Sequence, residues 1–306
     1  MGEVLSLFDA SLLNSTLRFV APILMAALGG MVCQRAGIFN IALEGLMLIG
    51  AFAAVVGSYV TGSAAGGVVA AVVGGAAMAL VMSLFVVNLR GDSIVVSIAI
   101  NLLAVGLTAF LLRVLFGVKG AFQDPSLEGL GRITIPILDP IPVLGPLLSG
   151  HTILVYLSLI LLPVSYLFLY RTVWGLRIRG VGENAEAAQT LGVNVRVTQY
   201  GAPMASGALC GLAGAQLSLG NVTLFVENMS AGRGWIAVVA VMLGQARPLG
   251  VGAASLLFGF TDSLGFRLQG LNLPSQVTES IPYLATLAGL FLVAMRKRAQ
   301  VKHSHP

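Results

Sequence analysis

Nine apolar segments follow one another along this chain, at 17–34, 38–60, 66–88, 93–115, 152–170, 199–219, 234–246, 249–267 and 282–296. A helix that crosses a bilayer needs about 20 apolar residues. The pattern predicts an all-α, polytopic integral membrane protein of about eight to ten spans, with the shorter runs crossing only in part. Composition agrees. Of 306 residues 57% are hydrophobic and 9% charged, and the mean hydropathy is +0.94. Soluble domains carry about 25% charged residues, and no soluble fold of this size hides so much apolar surface.

The basic residues set the orientation, because they concentrate on the cytoplasmic side of membrane loops. Arg35, Arg90, Arg171, Arg177, Arg179, Arg196, Arg247, Arg296, Lys297, Arg298 and Lys302 fall on one side, eleven of the seventeen Lys and Arg. Asp124, Glu128, Asp139, Glu227 and Glu279 fall on the other. The C-terminus is therefore expected inside, and the side of the N-terminus depends on whether 38–60 crosses fully. The first sixteen residues hold Glu3 and Asp9 and no basic residue, unlike a secretory signal. Val4–Leu13 reads as a short interfacial helix.

The longest outer loop, Gly117–Gly150, contains five prolines, Pro125, Pro136, Pro140, Pro142 and Pro146, and should be extended and turn-rich. It reads as a lid or docking ledge, or as a plain connector. Gly62 with Gly66, and Gly207 with Gly211 and Gly214, have the small-residue spacing that lets helices approach closely in lipid. Cys33 and Cys210 read as small core residues, and neither they nor the three histidines sit at metal-ligand spacing. The net charge of +5 is spread over helix ends rather than gathered into a nucleic-acid patch.

An ATP-driven pump in one chain needs a phosphate-cradling loop. None of the three lysines, Lys119, Lys297 and Lys302, follows a glycine, so no GK[ST] exists. No GxSxG or HExxH is present either, and the chain reads as non-catalytic and without a cofactor of its own.

Two features stand out from the apolar background. Gln34–Gly45 joins two apolar runs without a polar loop, and Asn40 and Glu44 lie four apart, on one helical face. An ionisable group inside a membrane segment is costly unless it faces a cavity or a partner. Glu44 is thus either functional or a tether, held by Arg35 or by backbone N–H groups. The asparagine and glycines suggest a broken helix near 34–50, of the kind that forms midplane sites in transporters. Asn101, within 93–115, either bonds a neighbouring helix or lines the path of a polar solute. Asp262 and Arg267 read as a solvated helix end.

The second feature is a polar island, Arg171–Arg196, reading RTVWGLRIRGVGENAEAAQTLGVNVR. Glu183–Leu191 is expected to form a short helix with Glu183 and Glu186 in its first turn, where the dipole favours anions. Gly192 is expected to stop it. A helix so short needs a surface to rest on, either its own membrane domain or a soluble partner.

The stretches Gln34–Ala54, Thr172–Gly220 and Gly232–Gly250 together resemble the permease subunits of ABC importers for branched-chain amino acids, simple sugars and nucleosides. The nucleoside type is the most similar. The resemblance implies a single permease domain over 1–306, with an outer loop at 117–150 and a cytoplasmic coupling loop at 171–198, in the cytoplasmic (inner) membrane of a bacterium. It implies a cytoplasmic ATPase subunit that holds ATP and magnesium, a second permease subunit (a paralogue rather than a copy) and an outer substrate-binding lipoprotein or periplasmic protein. By its match to the family's EAA-type loop, Glu183, Asn184, Glu186, Ala187, Ala188 and Gly192 would contact the ATPase. Asn40, Glu44 and Gly45 match the NIxLEG segment and, with Asn101, would belong to the substrate pathway. The implied function is ATP-driven import of nucleosides. The alternatives are a simple-sugar or branched-chain amino-acid permease and a secondary transporter coupled to protons through Glu44.

Overall fold

Polar caps and glycine stops divide the apolar sequence into helices at nearly the expected points. In a computed structural model, which describes residues 10–134, 148–268 and 284, the chain forms ten α-helices among the described residues. These are α1 (Ala10–Arg35), α2 (Leu43–Thr61), α3 (Ala64–Ser83), α4 (Ser93–Phe116), α5 (Ile153–Arg171), α6 (Val173–Glu183), α7 (Ala185–Thr190), α8 (Val195–Ala215), α9 (Arg233–Leu243) and α10 (Pro248–Leu268). Wider π-helical turns extend α3 over Leu84–Asn88 and α8 over Gln216–Val222. The expected segment 282–296 apart from Leu284, the basic tail, residues 1–9 and Pro136, Pro140, Pro142 and Pro146 lie outside the described residues. Residues 10–13 of the expected interfacial helix are simply the start of α1.

The helix starts follow capping chemistry. The side chains of Ser63, Asp92, Thr172, Asn184 and Asn194 accept backbone N–H bonds at the starts of α3, α4, α6, α7 and α8. Gly62 and Gly117, at φ 61° and 69°, end α2 and α4 in the left-handed conformation that favours glycine. Gly62 is therefore a stop and not half of a helix-packing pair with Gly66, which abuts Thr61 across the turn.

Six helices (α1 to α5 and α10, with α3 taken through Asn88) are long and apolar enough to cross a membrane. The 21-residue α8 is of comparable length. By contrast α9 has 11 residues. At 1.5 Å per residue that is about 16 Å, roughly half the hydrocarbon thickness. The 234–246 run is thus a half-helix.

Its neighbours fix which end of each helix lies where. Near the start of α1, Asn14 donates to the Ser149 carbonyl at 3.3 Å, while its last residue, Arg35, abuts Gly182 of α6. By the charge rule the Gly182 end is the one expected to be cytoplasmic, which would put the start of α1 and the end of α2 together at the outer end. The described parts of the outer loop, 117–134 and 148–150, are pinned at that end. β1 (Ala121–Phe122) pairs antiparallel with β4 (Phe225–Val226), and β2 (Arg132–Ile133) with β3 (His151–Thr152). The Ser58 hydroxyl donates to the Glu128 carbonyl at 2.9 Å, and Phe122 stacks on Phe116 with centroids 3.8 Å apart. The Asp124 carboxyl accepts from the hydroxyl and N–H of Ser126, which holds its pKa below the usual carboxylate range.

The core is made by α1, α2, α3 and α8, with α10 laid along α1. In α8, Gly207 and Gly211 face Gly75 and Ala71 of α3, and Gly214 faces Met47 of α2, so closely that a Cβ on any of them would strike backbone. Lipid provides little hydrophobic drive between helices, and such contacts hold them by van der Waals packing instead. On α4 and α5, side chains such as Leu102, Phe110, Ile160 and Leu167 point outward, as lipid permits. Gly211→Val is expected to destabilise the purified protein by several kcal/mol, read as a lowered thermal midpoint. Gly106→Ala, where a Cβ meets nothing within 4 Å, should leave the midpoint unchanged or raised.

Candidate functional site

The chain breaks between Arg35 and Leu43, as the sequence predicts, and this break organises the buried polar side chains. A helix that starts inside the membrane leaves its first N–H groups open, and three side chains close them. Asn40 is 4% exposed. Its Oδ1 accepts from Ala42 N–H at 2.8 Å, and its Nδ2 donates to the Ser206 hydroxyl of α8 at 3.1 Å. Asn101 of α4 accepts from Gly45 N–H through Oδ1 at 2.7 Å and donates from Nδ2 to the Ile41 carbonyl at 3.1 Å. Ser97, one turn earlier, accepts from Ile41 N–H at 3.3 Å. Gly45 has no Cβ because Asn101 occupies that place, 2.8 Å from where a Cβ would stand.

Glu44 is 7% exposed and reaches away from the break. Its Oε1 accepts from Gly232 N–H at 2.8 Å and its Oε2 from Gly234 N–H at 2.6 Å. These are the open donors at the start of α9, where the helix dipole also favours negative charge. Gly232 sits at φ 83°. A Cβ on Gly234 would collide with the Glu44 backbone, so glycine is what lets the carboxylate reach both N–H groups.

Arg35 holds the other end of α9. Its Nε donates to the Ala246 carbonyl at 2.7 Å and its Nη2 to the Gln245 carbonyl at 3.4 Å. Gln245 and Ala246 have φ of 53° and 47°, a conformation that costs a non-glycine residue about 1–2 kcal/mol. The two hydrogen bonds help offset it. Arg35 and Glu44 therefore do not pair with each other. From either side of the break they grip the two ends of one half-helix.

The polar island folds as two helices rather than one. Asn184 is extended at φ −154° and caps α7, accepting from Ala187 N–H at 2.9 Å. This divides the expected Glu183–Leu191 helix. Glu183 becomes the last residue of α6, at the unfavourable end of the dipole, and only Glu186 stands in a first turn. Gly192, at φ 80°, ends α7 as expected. Ala188 is buried, whereas Glu183, Asn184, Glu186, Ala187 and Gly192 are exposed, with Leu191 at 83%. Beside α7, a Cβ on Gly182 would strike the Arg35 carbonyl, and Gly37 lies against Gly182 in the same way. The island thus touches the foot of the break, backbone on backbone. A polar cavity of about 1200 Å³ opens there, lined by Gly37, Ile38, Arg90, Gly192 and Arg196.

This arrangement matches a known family over nearly its whole length. The family of the branched-chain amino acid transport system / permease component matches residues 12–295. The chain belongs to that permease family. It is 36% identical, over 94% of its own length and 93% of the relative's, to a Haloferax volcanii protein named as a glucose ABC transporter permease. It is 35% identical to a guanosine ABC transporter permease of Bacillus subtilis, over 90% and 89% of the two chains. It is 34% identical to a nucleoside ABC transporter permease of Lactococcus lactis, again over 90% and 89%. Its fold is shared with a metal-chelate type ABC transporter solved in an inward-facing conformation, at a TM-score of 0.55 and 18% identity, covering 93% of this chain and 85% of that one.

This permease is thus a multi-pass membrane component rather than a catalytic one, and its family works in general with ATPase and substrate-binding partners. Membership displaces the proton-coupled secondary transporter as a reading. Sequence reasoning singled out Asn40, Glu44, Gly45 and Asn101. Asn40, Gly45 and Asn101 lie at the break, but Asn40 precedes α2 and so shares no helical face with Glu44, which turns to α9. Sequence reasoning missed Gly232 and Gly234 as the partners of Glu44, although a Gly-Arg-Gly opening an apolar run is the signal that points to them. It also misread Asp262, which is no solvated helix end. Its Oδ2 lies 3.4 Å from Nε of Arg233, with both side chains 21% exposed, because a lone carboxylate within a span needs a cation.

Glu44→Ala is expected to destabilise the permease by about 3 kcal/mol, since two buried N–H groups lose a charged acceptor. Glu44→Gln, which keeps one acceptor, should lose about half as much. Equilibrium unfolding of the purified protein in mixed micelles measures both.

Proposed function

We propose that the permease imports nucleosides, driven by ATP and magnesium held in a cytoplasmic ATPase subunit that docks on Glu183–Gly192. A paralogous permease completes the membrane part, and an outer lipoprotein or periplasmic protein delivers the solute. The observation that carries this reading is the position of α7. It is exposed on its outward side, while Gly182 immediately before it rests on the backbone of the break. A push on α7 therefore reaches Arg35 and Gly37 without a flexible side chain between. Arg35 and Glu44 then pass it to both ends of α9. Movement of this half-helix would open the way between the inner cavity and the outer half of the membrane.

Asn40, Asn101, Glu44 and Gly45 belong to the pathway as its frame. Their polar atoms are taken by backbone and by Ser206, so they shape the passage more than they bind solute. A neutral, amphipathic nucleoside suits a route whose charges are nearly all paired or at its ends. The guanosine-named and nucleoside-named relatives support the same substrate. The glucose-named relative favours a second reading, a hexose permease, with which a nucleoside shares only its sugar hydroxyls.

Uptake by the reconstituted complex decides between them. Competition by guanosine, adenosine and uridine but not by glucose is expected, and the reverse profile would establish the sugar. In the same complex, Glu186→Trp combined with Gly192→Val should abolish substrate-stimulated ATP hydrolysis while the outer protein still docks. Retained stimulation would remove α7 from the coupling path.

A further inference from the structure

The outer half of the permease contains a cavity that neither the break nor the coupling segment uses. It encloses about 660 Å³ and is lined by α1, the π-turn after α8, β4, the segment leading into α9, and α10. Small-molecule sites commonly measure about 300–1,000 Å³. Its floor is the start of α9, where Arg233 stands between the two glycines held by Glu44. A solute arriving from outside meets this cavity immediately before the half-helix that the break controls.

Its polar groups are almost all donors. The Arg233 charge is balanced by Asp262 at 3.4 Å, and its guanidinium lies 6.0 Å from the Phe19 ring centre. Arg18 has no such balance. Among the described residues no carboxylate lies within ion-pair distance of it and no acceptor takes its N–H groups. The charged neighbour that acts on it is another cation, Arg132. Asn221 adds a second donor. A relay holds its amide in place: the Thr152 hydroxyl donates to Gln216 Oε1 at 2.6 Å, and Gln216 Nε2 donates to Asn221 Oδ1 at 3.1 Å. Among the described residues nothing engages the Asn221 NH2. The remaining wall is apolar and aromatic, with Phe19 and Phe266 tilted at 49° to each other at a centroid distance of 5.8 Å, and Met229 beside them.

An uncompensated guanidinium fork beside aromatic rings suits a planar ligand with two adjacent acceptors on one edge. The O6/N7 edge of a 6-oxopurine is such a ligand, and arginine pairs with it through two hydrogen bonds. A 6-aminopurine places an NH2 donor on that edge, donor against donor. We propose that this cavity is the permease's own recognition site for 6-oxopurine nucleosides, with Arg18 reading the O6/N7 edge and Asn221 donating to a further acceptor of the nucleoside. The proposal rests on the nucleoside reading above and narrows it.

The test is uptake of radiolabelled guanosine and adenosine by the complete transporter in proteoliposomes, comparing wild type with Arg18→Lys and Asn221→Ala. Lysine keeps the charge and removes the fork. The wild type should favour guanosine, and Arg18→Lys should lower the guanosine-to-adenosine ratio of uptake efficiencies at least fivefold, mainly through KM for guanosine, as loss of a two-bond contact requires. Asn221→Ala should raise KM for guanosine without disrupting assembly. An unchanged ratio in Arg18→Lys, an equal loss for both nucleosides, or a wild type without preference for guanosine overturns the proposal and leaves the nucleoside reading standing. A wild type that carries glucose and no nucleoside overturns both.

Discussion

One carboxylate and one guanidinium decide how this membrane protein is put together. Glu44 takes the first N–H groups of α9, and Arg35 takes the carbonyls of the turn beyond its last residue. Without them an 11-residue helix would stand in the membrane with open donors at one end and open acceptors at the other, and each buried unsatisfied group costs several kcal/mol in hydrocarbon. The break between α1 and α2 exists to put both residues in place. Asn40, Ser97 and Asn101 then satisfy the groups that the break itself exposes. Buried polarity in this chain is thus mostly internal mortar, in which one irregularity satisfies another.

The same feature gives the inner surface a grip on the interior. Elsewhere α8 meets α2 and α3 through glycines, a contact that resists separation. At the foot of the break a second glycine contact, Gly37 with Gly182, joins the break to the helical pair α6 and α7. On the proposed reading the two contacts differ in consequence: the first keeps the scaffold rigid, and the second lets the half-helix follow what happens at the cytoplasmic face.

Much of the fold was legible because the membrane simplifies the code. Apolar runs gave eight described helices, most ends to within a few residues, although α1 begins seven residues earlier and α2 five residues later than expected, and Ser, Asp, Asn and Gly marked their ends. The half-length of α9 was legible too, as a run too short to cross. What could not be read was pairing. Nothing local to Glu44 says that its partners lie 188 and 190 residues away, and Arg35, nine positions before it in sequence, was as good a candidate as the backbone N–H groups that in fact hold it. Asn184 likewise hid its effect: within a run rich in helix formers its capping tendency won over continuation, and one expected helix became two. Asp262 was misjudged because a charge near the end of an apolar run reads as solvated until Arg233, on another helix, is seen beside it.

The central claim is that Gly182, the break and Glu44 act as one mechanical unit. Residues with no shared partner normally contribute independently to a measured effect. A double-mutant cycle on substrate-stimulated ATP hydrolysis, pairing Gly182→Val with Glu44→Gln in the assembled transporter, measures whether these two do. The unit predicts that either change alone removes most of the stimulation and that the pair removes little more. Losses that simply multiply, as for independent sites, would contradict it.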